Sequence, residues 1–486
     1  MRIIESLDNR AIKSGRWVIA SRIIQQVFYL IRTIVLARLL SPHDFGLFGI
    51  ALLTLSMLDT FSQTGFRQAL IQKKENTTPY LDTAWTIGVI RAFIIAFILF
   101  IVAPYVAAFF KTEQAVSILR VIGLAILFRS LTNIAVVYFE KELKFHKYFV
   151  YEIAGSVVDL VVAVGAALMF RSVWALVFGR LAGNFTRCVT SYVIDPYRPR
   201  FCLDRAKAKE LFGFGRWVLG SGILVFLITQ GDDIVVGKLI GATALGFYQM
   251  AYLVSNLPAT EITYVISQVT FPAYSMVQDN MPRLKEAYLR VLRVAAFFSF
   301  LPAVLLFALA GDLTQVFLGS KWMPMVPAMK VLVLCGVVRA IGATTGPVFQ
   351  AVGRPRIITK LTTVKFAVLA VLIFPLTVKF GILGTSFALL GSSIVSNPLA
   401  DYKVIKLTGC GARRFVKLVV MPFIAAIIVY YLLESLRGYL APADILGIAV
   451  YIITGGLAYI AILVLFGKFF GYRIGKELTE IVSSIR

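Results

Sequence analysis

Charged residues are scarce in this sequence. Asp, Glu, Lys and Arg make up 15% of the 486 residues, whereas hydrophobic residues make up 59%. A soluble domain carries about 25% charged residues, and the mean hydropathy of this chain is +0.84. An aqueous fold cannot hide this much apolar surface, so we expect an all-α integral membrane protein.

Histidine and cysteine are also rare. The two histidines, His43 and His146, lie in short loops predicted on opposite sides of the membrane, so they cannot form a dyad. None of the cysteines has the CxxC spacing of a metal or redox site. We therefore expect reduced packing cysteines, no metal site and no cofactor. The cysteines are Cys188, Cys202, Cys335 and Cys410.

Hydrophilic segments long enough to form a soluble domain are absent. This argues against an enzyme such as a polymerase, which needs a sizeable loop to hold donor and acceptor. The stretch GDDIVVGKL at 231–239 is one residue too long for a phosphate loop, and Leu follows its Lys. We therefore expect no ATP binding.

Fourteen apolar runs have the length that crosses a bilayer. A basic loop, YRPRFCLDRAKAKE at 197–210, separates the first six runs from the other eight. The predicted spans lie near 17–39, 45–66, 84–108, 116–139, 149–170, 173–194, 212–239, 246–270, 290–310, 325–349, 360–379, 382–402, 416–433 and 444–466.

Basic residues cluster in alternate gaps between these runs, starting with the N-terminus and including the 197–210 loop. Cytoplasmic loops carry an excess of Lys and Arg. We therefore predict a multi-pass protein of the bacterial inner membrane with both termini in the cytoplasm. Because the net charge of +24 resides in such short gaps, it does not indicate nucleic-acid binding. The intervening gaps hold only Lys111, Arg171, Lys238, Lys321, Lys379 and Arg437.

An internal repeat runs through the chain at an offset of 200 residues. SGRWVIAS at 14–21 recurs as FGRWVLGS at 214–221, and LARLLSPHDFGLFGIA at 36–51 recurs as VGKLIGATALGFYQMA at 236–251. Six spans per half, entering from the same side, predict a parallel repeat about an axis along the membrane normal. The predicted parts are a six-helix lobe at 1–197, a second at 198–410, and two more helices with a cytoplasmic tail at 411–486.

This architecture resembles the polysaccharide transporter branch, the Wzx-type oligosaccharide flippases, of the multidrug/oligosaccharidyl-lipid/polysaccharide exporter superfamily. The resembling residues are LARLLSPHDFGLFGIA, GFRQALIQKK at 65–74 and GRPR at 353–356. The resemblance implies that undecaprenyl-diphosphate-linked oligosaccharides cross the membrane by alternating access, for exopolysaccharide, capsule or O-antigen. It implies as partners membrane lipids, a coupling proton or sodium ion, a polysaccharide polymerase and glycosyltransferases.

Polar residues within the predicted spans are the candidates for substrate binding, because an ionisable group there usually faces a cavity or a partner. On the first span Arg22, Gln25, Gln26, Tyr29 and Arg32 fall within one arc of the helix, which we expect to line a wet cavity. Guanidinium groups bind phosphate oxygens with two parallel hydrogen bonds, so a basic lumen suits a diphosphate. The other predicted substrate-binding residues are Arg91, Arg129, Arg180 and Arg339.

Four carboxylates are predicted to couple ion movement to transport: Asp59, Asp232, Asp233 and Glu261. Asp59 lies at the depth of Arg22, so a structural Arg22–Asp59 ion pair competes with a ligand role for Arg22. Arg32 in one repeat corresponds to Asp232, which Asp233 follows, so the charge is inverted at one depth. This inversion predicts an interlobe latch, a site for the coupling ion, or a permanent ion pair.

Three other functions stay open on the sequence. An ion-coupled drug or small-cation exporter of the same fold should have an acidic, aromatic cavity, whereas the first half here is basic. A flippase for peptidoglycan lipid precursors would also carry a diphosphate lipid. A membrane-embedded glycosyl- or phosphotransferase would need an acid/base pair held by a loop.

Overall fold

The computed structural model describes residues 2–63, 78–141, 144–438, 444–470 and 472. Throughout these residues the secondary structure is helical, without a strand. The helices are α1 (Arg2–Leu39), α2 (Pro42–Phe61), α3 (Thr78–Phe110), α4 (Ala115–Leu131), α5 (Val136–Lys141), α6 (Phe145–Phe170), α7 (Trp174–Ile194), α8 (Arg205–Leu239), α9 (Ala242–Ser275), α10 (Met281–Ala308), α11 (Ala310–Leu313), α12 (Val326–Gly342), α13 (Thr345–Ala351), α14 (Arg356–Thr408), α15 (Ala412–Leu436) and α16 (Ile445–Phe470).

The membrane character of the helices agrees with the sequence. Within the described residues, nine helical stretches are long and apolar enough to cross a membrane. The predicted all-α, multi-pass membrane architecture is therefore confirmed. The predicted spans 116–139, 173–194, 212–239 and 246–270 are not among the nine, so the count of fourteen stays a prediction.

One long helix contains two of the predicted spans. Helix α14 has non-helical backbone at Gly381, with φ 61° and ψ −140°, between the predicted spans 360–379 and 382–402. Glycine adopts this positive φ without the steric cost that a Cβ would bring. The hydroxyls of Thr377 and Thr385 are 2.8 Å apart across this kink. The predicted break between the two spans is thus at the right residue.

The predicted span 116–139 is wrong as a continuous helix, because the chain leaves the helical path between α4 and α5. Buried Asn133 lies in this break, and its side-chain oxygen accepts a hydrogen bond from the backbone N–H of Ala135 at 3.0 Å. Its side-chain amide donates to the Tyr197 carbonyl at 2.8 Å. Asn side chains that bond to nearby backbone groups compete with helix formation in this way.

The chain divides into two compact units, Met1–Gly246 and Phe247–Arg486. In the first unit α6 packs against α1 and α7, and α8 packs against α2 and α3. Because of that packing, the unit extends beyond the predicted lobe boundary at 197. In the second unit α10 packs against α12 and α15 around a buried apolar core. The three-part division from the repeat stays a prediction.

The basic loop after α7 is held against the first unit. Asp82, in the first turns of α3, accepts a hydrogen bond from the Tyr197 hydroxyl at 2.8 Å and another from the Arg200 backbone at 2.9 Å. Phe201 lies against Trp85 with ring centroids 4.9 Å apart. Burial, followed by the hydrogen bond to Asp82, raises the pKa of Tyr197, so this phenol stays a donor over the whole neutral range.

Candidate functional site

A polar cavity of about 250 Å³ lies within the first unit, among α1, α6 and α7. From α1 it is lined by four residues of the predicted stripe, and from α7 by Arg180. The predicted stripe therefore faces a cavity. The polar lining is completed by residues of α6 and α7 that were not among the predicted site residues. The lining comprises Gln25, Gln26, Phe28, Tyr29, Arg32, Ser156, Asp159, Arg180 and Arg187.

Two ion pairs form the wall between α1, α6 and α7. Arg32 Nε lies 3.1 Å from Asp159 Oδ1, and Arg187 Nε donates to Glu152 Oε2 at 3.1 Å. Arg187 Nη2 also donates to the Ser156 hydroxyl at 3.1 Å. The Arg32–Asp159 pair is close but poorly aligned, because Arg32 Nε and Nη2 and Asp159 Oδ1 are buried without a hydrogen-bond partner in the described residues. Arg32 thus keeps unused donors at the cavity wall.

Small residues allow α6 and α7 to approach closely enough to build this wall. A Cβ on Gly155 would overlap the Arg187 side chain, and one on Gly179 would lie 2.7 Å from Asp159 Oδ1. A Cβ on Gly183 would lie 2.9 Å from the Gly155 carbonyl oxygen. Gly179 and Gly183 form the GxxxG spacing that brings membrane helices together. The close packing fixes the arginine and aspartate side chains in place.

Arg180 differs from the other two arginines of the cavity. Within the described part of the chain it forms no salt bridge, although it follows Gly179 on the same wall as Arg187. Three arginines and one aspartate therefore line the cavity, and the positive charge is in excess. A low-dielectric setting strengthens the attraction of such a group for an anion. The arrangement is suited to bind an anionic ligand.

A second charge cluster in the first unit is centred on Asp59. Arg91 Nη2 donates to Asp59 Oδ1 at 2.5 Å, and Arg129 Nη2 donates to Asp59 Oδ2 at 2.5 Å. Arg91 also donates to the Asp59 carbonyl at 3.2 Å. The alternative of an Arg22–Asp59 ion pair is therefore not formed in this structure, because arginines from α3 and α4 occupy both carboxylate oxygens. Arg22 lies half-buried on α1, outside the cavity lining.

In the second unit, Arg339 is held by neutral groups. On α12, it donates to the Tyr252 hydroxyl at 3.0 Å and to the Thr260 hydroxyl at 2.8 Å, both on α9. Its Nε is buried without an acceptor in the described residues. Arg339 thus has no carboxylate partner within the part of the chain that the structure describes.

The remaining predicted coupling residues lie on α8 and α9. Asp232 is buried at 4% exposure, while Asp233 and Glu261 are half-buried. Arg32 is paired with Asp159 in this structure rather than with Asp232, so a latch between Arg32 and Asp232 is not formed here. A role of these carboxylates in ion coupling stays a prediction. The segment GFRQALIQKK at 65–74 lies outside the described residues.

The predicted site left out three residues that lie within predicted spans and form the cavity wall: Glu152, Asp159 and Arg187. The signal was present as spacing. Glu152, Ser156 and Asp159 follow one another at four and three residues on α6, and Arg180 and Arg187 are seven apart on α7. Each set therefore lies on one face of its own helix. Periodicity identifies each face, but it does not show that the two faces meet. The described residues contain no cluster of His, Cys, Asp or Glu that could hold a metal ion.

The fold defines the class of protein. The structure is similar to that of "Lipid II flippase MurJ, inward closed conformation", with a TM-score of 0.74 at 13% identity over 92% of this chain and 98% of that one. It is also similar to an inward-facing MATE family multidrug resistance transporter of the MOP superfamily, with a TM-score of 0.60 at 15% identity over 80% of this chain and 96% of that one. The chain is a multi-pass helical membrane protein with this shared fold.

The family follows from the sequence match. Residues 35–327 match the family described as "Polysaccharide biosynthesis protein", and the chain belongs to this family. It is 25% identical over 451 residues to "Lipopolysaccharide biosynthesis protein WzxC" of Escherichia coli (strain K12), covering 90% of each chain. It is 25% identical over 322 residues to "Succinoglycan biosynthesis transport protein ExoT" of Rhizobium meliloti (strain 1021), covering 66% of this chain and 65% of the other. The predicted resemblance to Wzx-type proteins is confirmed.

Proposed function

We propose that this chain is a flippase of the bacterial inner membrane. It moves undecaprenyl-diphosphate-linked oligosaccharide units from the cytoplasmic to the periplasmic leaflet by alternating access, with both termini in the cytoplasm. The observation that carries the proposal is the polar cavity in which, among the described residues, Arg32 has unused donors and Arg180 forms no salt bridge.

The chemistry of the cavity fits a diphosphate attached to sugars. Arg32 and Arg180 can each donate to phosphate oxygens in the forked geometry that guanidinium provides. The amides of Gln25 and Gln26 and the hydroxyl of Tyr29 line the same space and suit sugar hydroxyl groups. Asp159 already balances part of the charge of Arg32, so cargo must compete with a carboxylate for it. This competition allows the cargo to leave again.

A lipid-linked cargo is supported by an apolar groove in the second unit. The groove has a volume of about 490 Å³ and lies among α10, α12 and α15, in stretches that are apolar enough to cross the membrane. Its lining suits a prenyl chain, whose burial depends on apolar area alone. Residues that line it include Phe300, Phe307, Leu334, Val338, Phe423 and Tyr431.

The saccharide part of the proposed cargo is supported by the names of the relatives. WzxC is named for lipopolysaccharide biosynthesis and ExoT for transport in succinoglycan biosynthesis. A drug or cation exporter fits less well, because three arginines face a single aspartate in the cavity. A peptidoglycan precursor flippase shares the fold and the diphosphate chemistry, so it is the second candidate.

Coupling to a proton or sodium ion is part of the proposal. Asp232, Asp233 and Glu261 remain the proposed coupling carboxylates. Asp59 fits a different role, since arginines hold both of its oxygens and make it a fixed counter-charge. The polysaccharide polymerase and glycosyltransferases are the proposed partners.

Deletion of the gene in its host tests the proposal. The deletion strain should lose one surface polysaccharide and accumulate lipid-linked oligosaccharide that is inaccessible from the periplasm. Wild-type protein should restore export, and the Arg32→Ala/Arg180→Ala variant should not, at equal membrane levels. Unchanged polysaccharide together with blocked peptidoglycan synthesis would favour the second candidate.

A further inference from the structure

Two short segments related by the sequence repeat contact each other with twofold pseudosymmetry. Helices α2 and α9 begin at the equivalent residues Pro42 and Ala242. Gly46 abuts the carbonyl of Ala242, and Gly246 abuts the carbonyl of Pro42. Each contact is thus the other one shifted by the repeat offset of 200 residues. Reciprocal contacts of this kind define an isologous interface, here within one chain.

The axis of this contact passes beside a histidine. His43 Nδ1 lies 3.2 Å from the hydroxyl oxygen of Thr243, the residue equivalent to it in the second repeat. Residues at the same position of two repeats related by a twofold axis lie next to each other only where that axis passes between them. His43 Nε2 lies 3.4 Å from the side-chain oxygen of Gln114, just before α4. The pairing therefore involves α2, α9 and the approach to α4.

Only glycine permits this contact. A Cβ on Gly46 would overlap the carbonyl oxygen of Ala242, and a Cβ on Gly246 would overlap that of Pro42. In both cases the neighbour is backbone, which cannot rotate away. The two helix starts are therefore in direct backbone contact, where Cα–H groups meet carbonyl oxygens.

The neighbouring segments at this end of the first unit are tied together as well. Asp44 Oδ1 accepts a hydrogen bond from the backbone of Val173 at 3.0 Å, at the start of α7. Lys238 donates to the Phe109 carbonyl at 2.8 Å, between the end of α8 and the end of α3. All of these residues lie in or beside gaps predicted to be periplasmic. This end of the unit is closed in the structure by polar contacts and by the glycine pair.

We infer that Gly46, Gly246 and the His43–Thr243 contact form the periplasmic gate of the transporter, called here the glycine gate. The inference rests on the proposed function, because only a transporter has to open this end for release. The contact consists of two backbone approaches and one side-chain contact, with no salt bridge across it among the described residues. Such an interface separates without exposing an uncompensated charge. The structure thus assigns the gate to residues that no sugar-binding or ion-coupling role explains.

Substitution of the glycines tests the packing. Gly46→Ala and Gly246→Ala should each force the starts of α2 and α9 apart, because the added Cβ overpacks the contact. The equilibrium between the closed and the open gate should shift toward the open gate by roughly tenfold. The readout is the labelling rate of a cysteine at position 43 by a membrane-impermeant maleimide, which should rise. Gly231→Ala is the matched control, because a Cβ on this α8 glycine meets nothing within 4 Å. Equal labelling rates in all three variants would overturn the inference.

A reversible cross-link tests the function of the gate without disturbing the glycines. His43→Cys and Thr243→Cys are combined in a chain whose four native cysteines have been replaced and which still exports. A short bis-methanethiosulfonate linker should join positions 43 and 243, stop export, and release it again upon reduction. Each single cysteine treated in the same way serves as the control.

The outcomes separate the gate from the function. Full export by protein that mass spectrometry shows to be cross-linked would overturn the gate and leave the flippase intact. Failure of the linker to join the two cysteines would contradict the contact itself. If the wild-type chain with its native cysteines, at proven membrane expression, moves no lipid-linked oligosaccharide, the proposed function fails, whatever the gate does.

Discussion

Replacement of Arg180 by alanine separates cargo binding from stability more cleanly than any other change in the cavity. Arg180 lines the cavity and forms no salt bridge in the described residues. Its removal leaves no carboxylate unpaired. Substitutions at positions that are neither packed in a core nor paired with another group usually alter stability by less than about 0.5 kcal/mol. We therefore expect Arg180→Ala to fold and to reach the membrane at normal levels.

Cargo affinity should fall strongly in the same variant. A hydrogen bond to a charged group contributes about 1.5–3 kcal/mol, which corresponds to roughly ten- to a hundredfold in affinity. Arg180→Lys should retain part of it, because lysine keeps the charge but loses the planar fork. Arg187→Ala should behave differently, since it leaves Glu152 without its ion-pair partner and therefore destabilises the protein as well.

The assay is binding of undecaprenyl diphosphate to protein in lipid nanodiscs, measured beside thermal unfolding of the same samples. Arg120→Ala is the matched control, because Arg120 stacks on Phe100 at 4.5 Å and does not line the cavity. Wild-type affinity in Arg180→Ala would refute the reasoning. So would a loss of thermal stability that accounts for the weaker binding.

Three further predictions concern the surroundings of the cavity. Asp59→Ala should lower stability by roughly 2–3 kcal/mol, because it leaves the largely buried Arg91 without its ion-pair partner. Arg129→Ala should cost less than about 1 kcal/mol, because Arg129 is 55% exposed. Equal losses of stability in unfolding experiments would contradict this ranking. Gly155→Ala should lower stability by about 1–3 kcal/mol, because the added Cβ overpacks against Arg187. In Gly165→Ala, on the same helix, the Cβ meets nothing within 4 Å, so this change should leave stability unchanged or raise it. Unchanged stability in Gly155→Ala would show that α6 and α7 are loosely packed. Asp82→Ala removes the acceptor of Tyr197 and Arg200, so trypsin should cut after Arg200 faster than in Glu286→Ala, a surface control. Identical cleavage rates would show that the loop is held by other contacts.

The general architecture could be predicted because the bilayer constrains it so strongly. Apolar length indicates membrane-spanning helices, and Gly381 breaks α14 where the two apolar runs meet. The polar stripe on α1 was also predictable, since it depends only on helical periodicity. Each of these inferences needs information from a single helix or its flanks.

The partners of the charged residues could not be predicted in the same way. Asp59 has Arg22 near its depth on the adjacent span, yet it pairs with Arg91 and Arg129 from two later helices. Arg32 pairs with Asp159 because Gly155, Gly179 and Gly183 bring α6 and α7 close together. Such pairings depend on which faces of distant helices meet, and the sequence of one helix does not contain that information. Asn133, at the break after α4, likewise bonds to Ser191 and Tyr197, which lie 58 and 64 positions away along the chain.

The most direct test of the account is translocation by purified protein in liposomes. Undecaprenyl-diphosphate-linked oligosaccharide is incorporated with a label on its sugar, and the fraction accessible to an external glycosidase is followed over time. We expect wild-type protein to make the inner-leaflet pool accessible, the Arg180→Ala variant to do so far more slowly, and Arg120→Ala to match wild type. Equal rates in Arg180→Ala and the wild type would contradict the claim that this cavity carries the cargo.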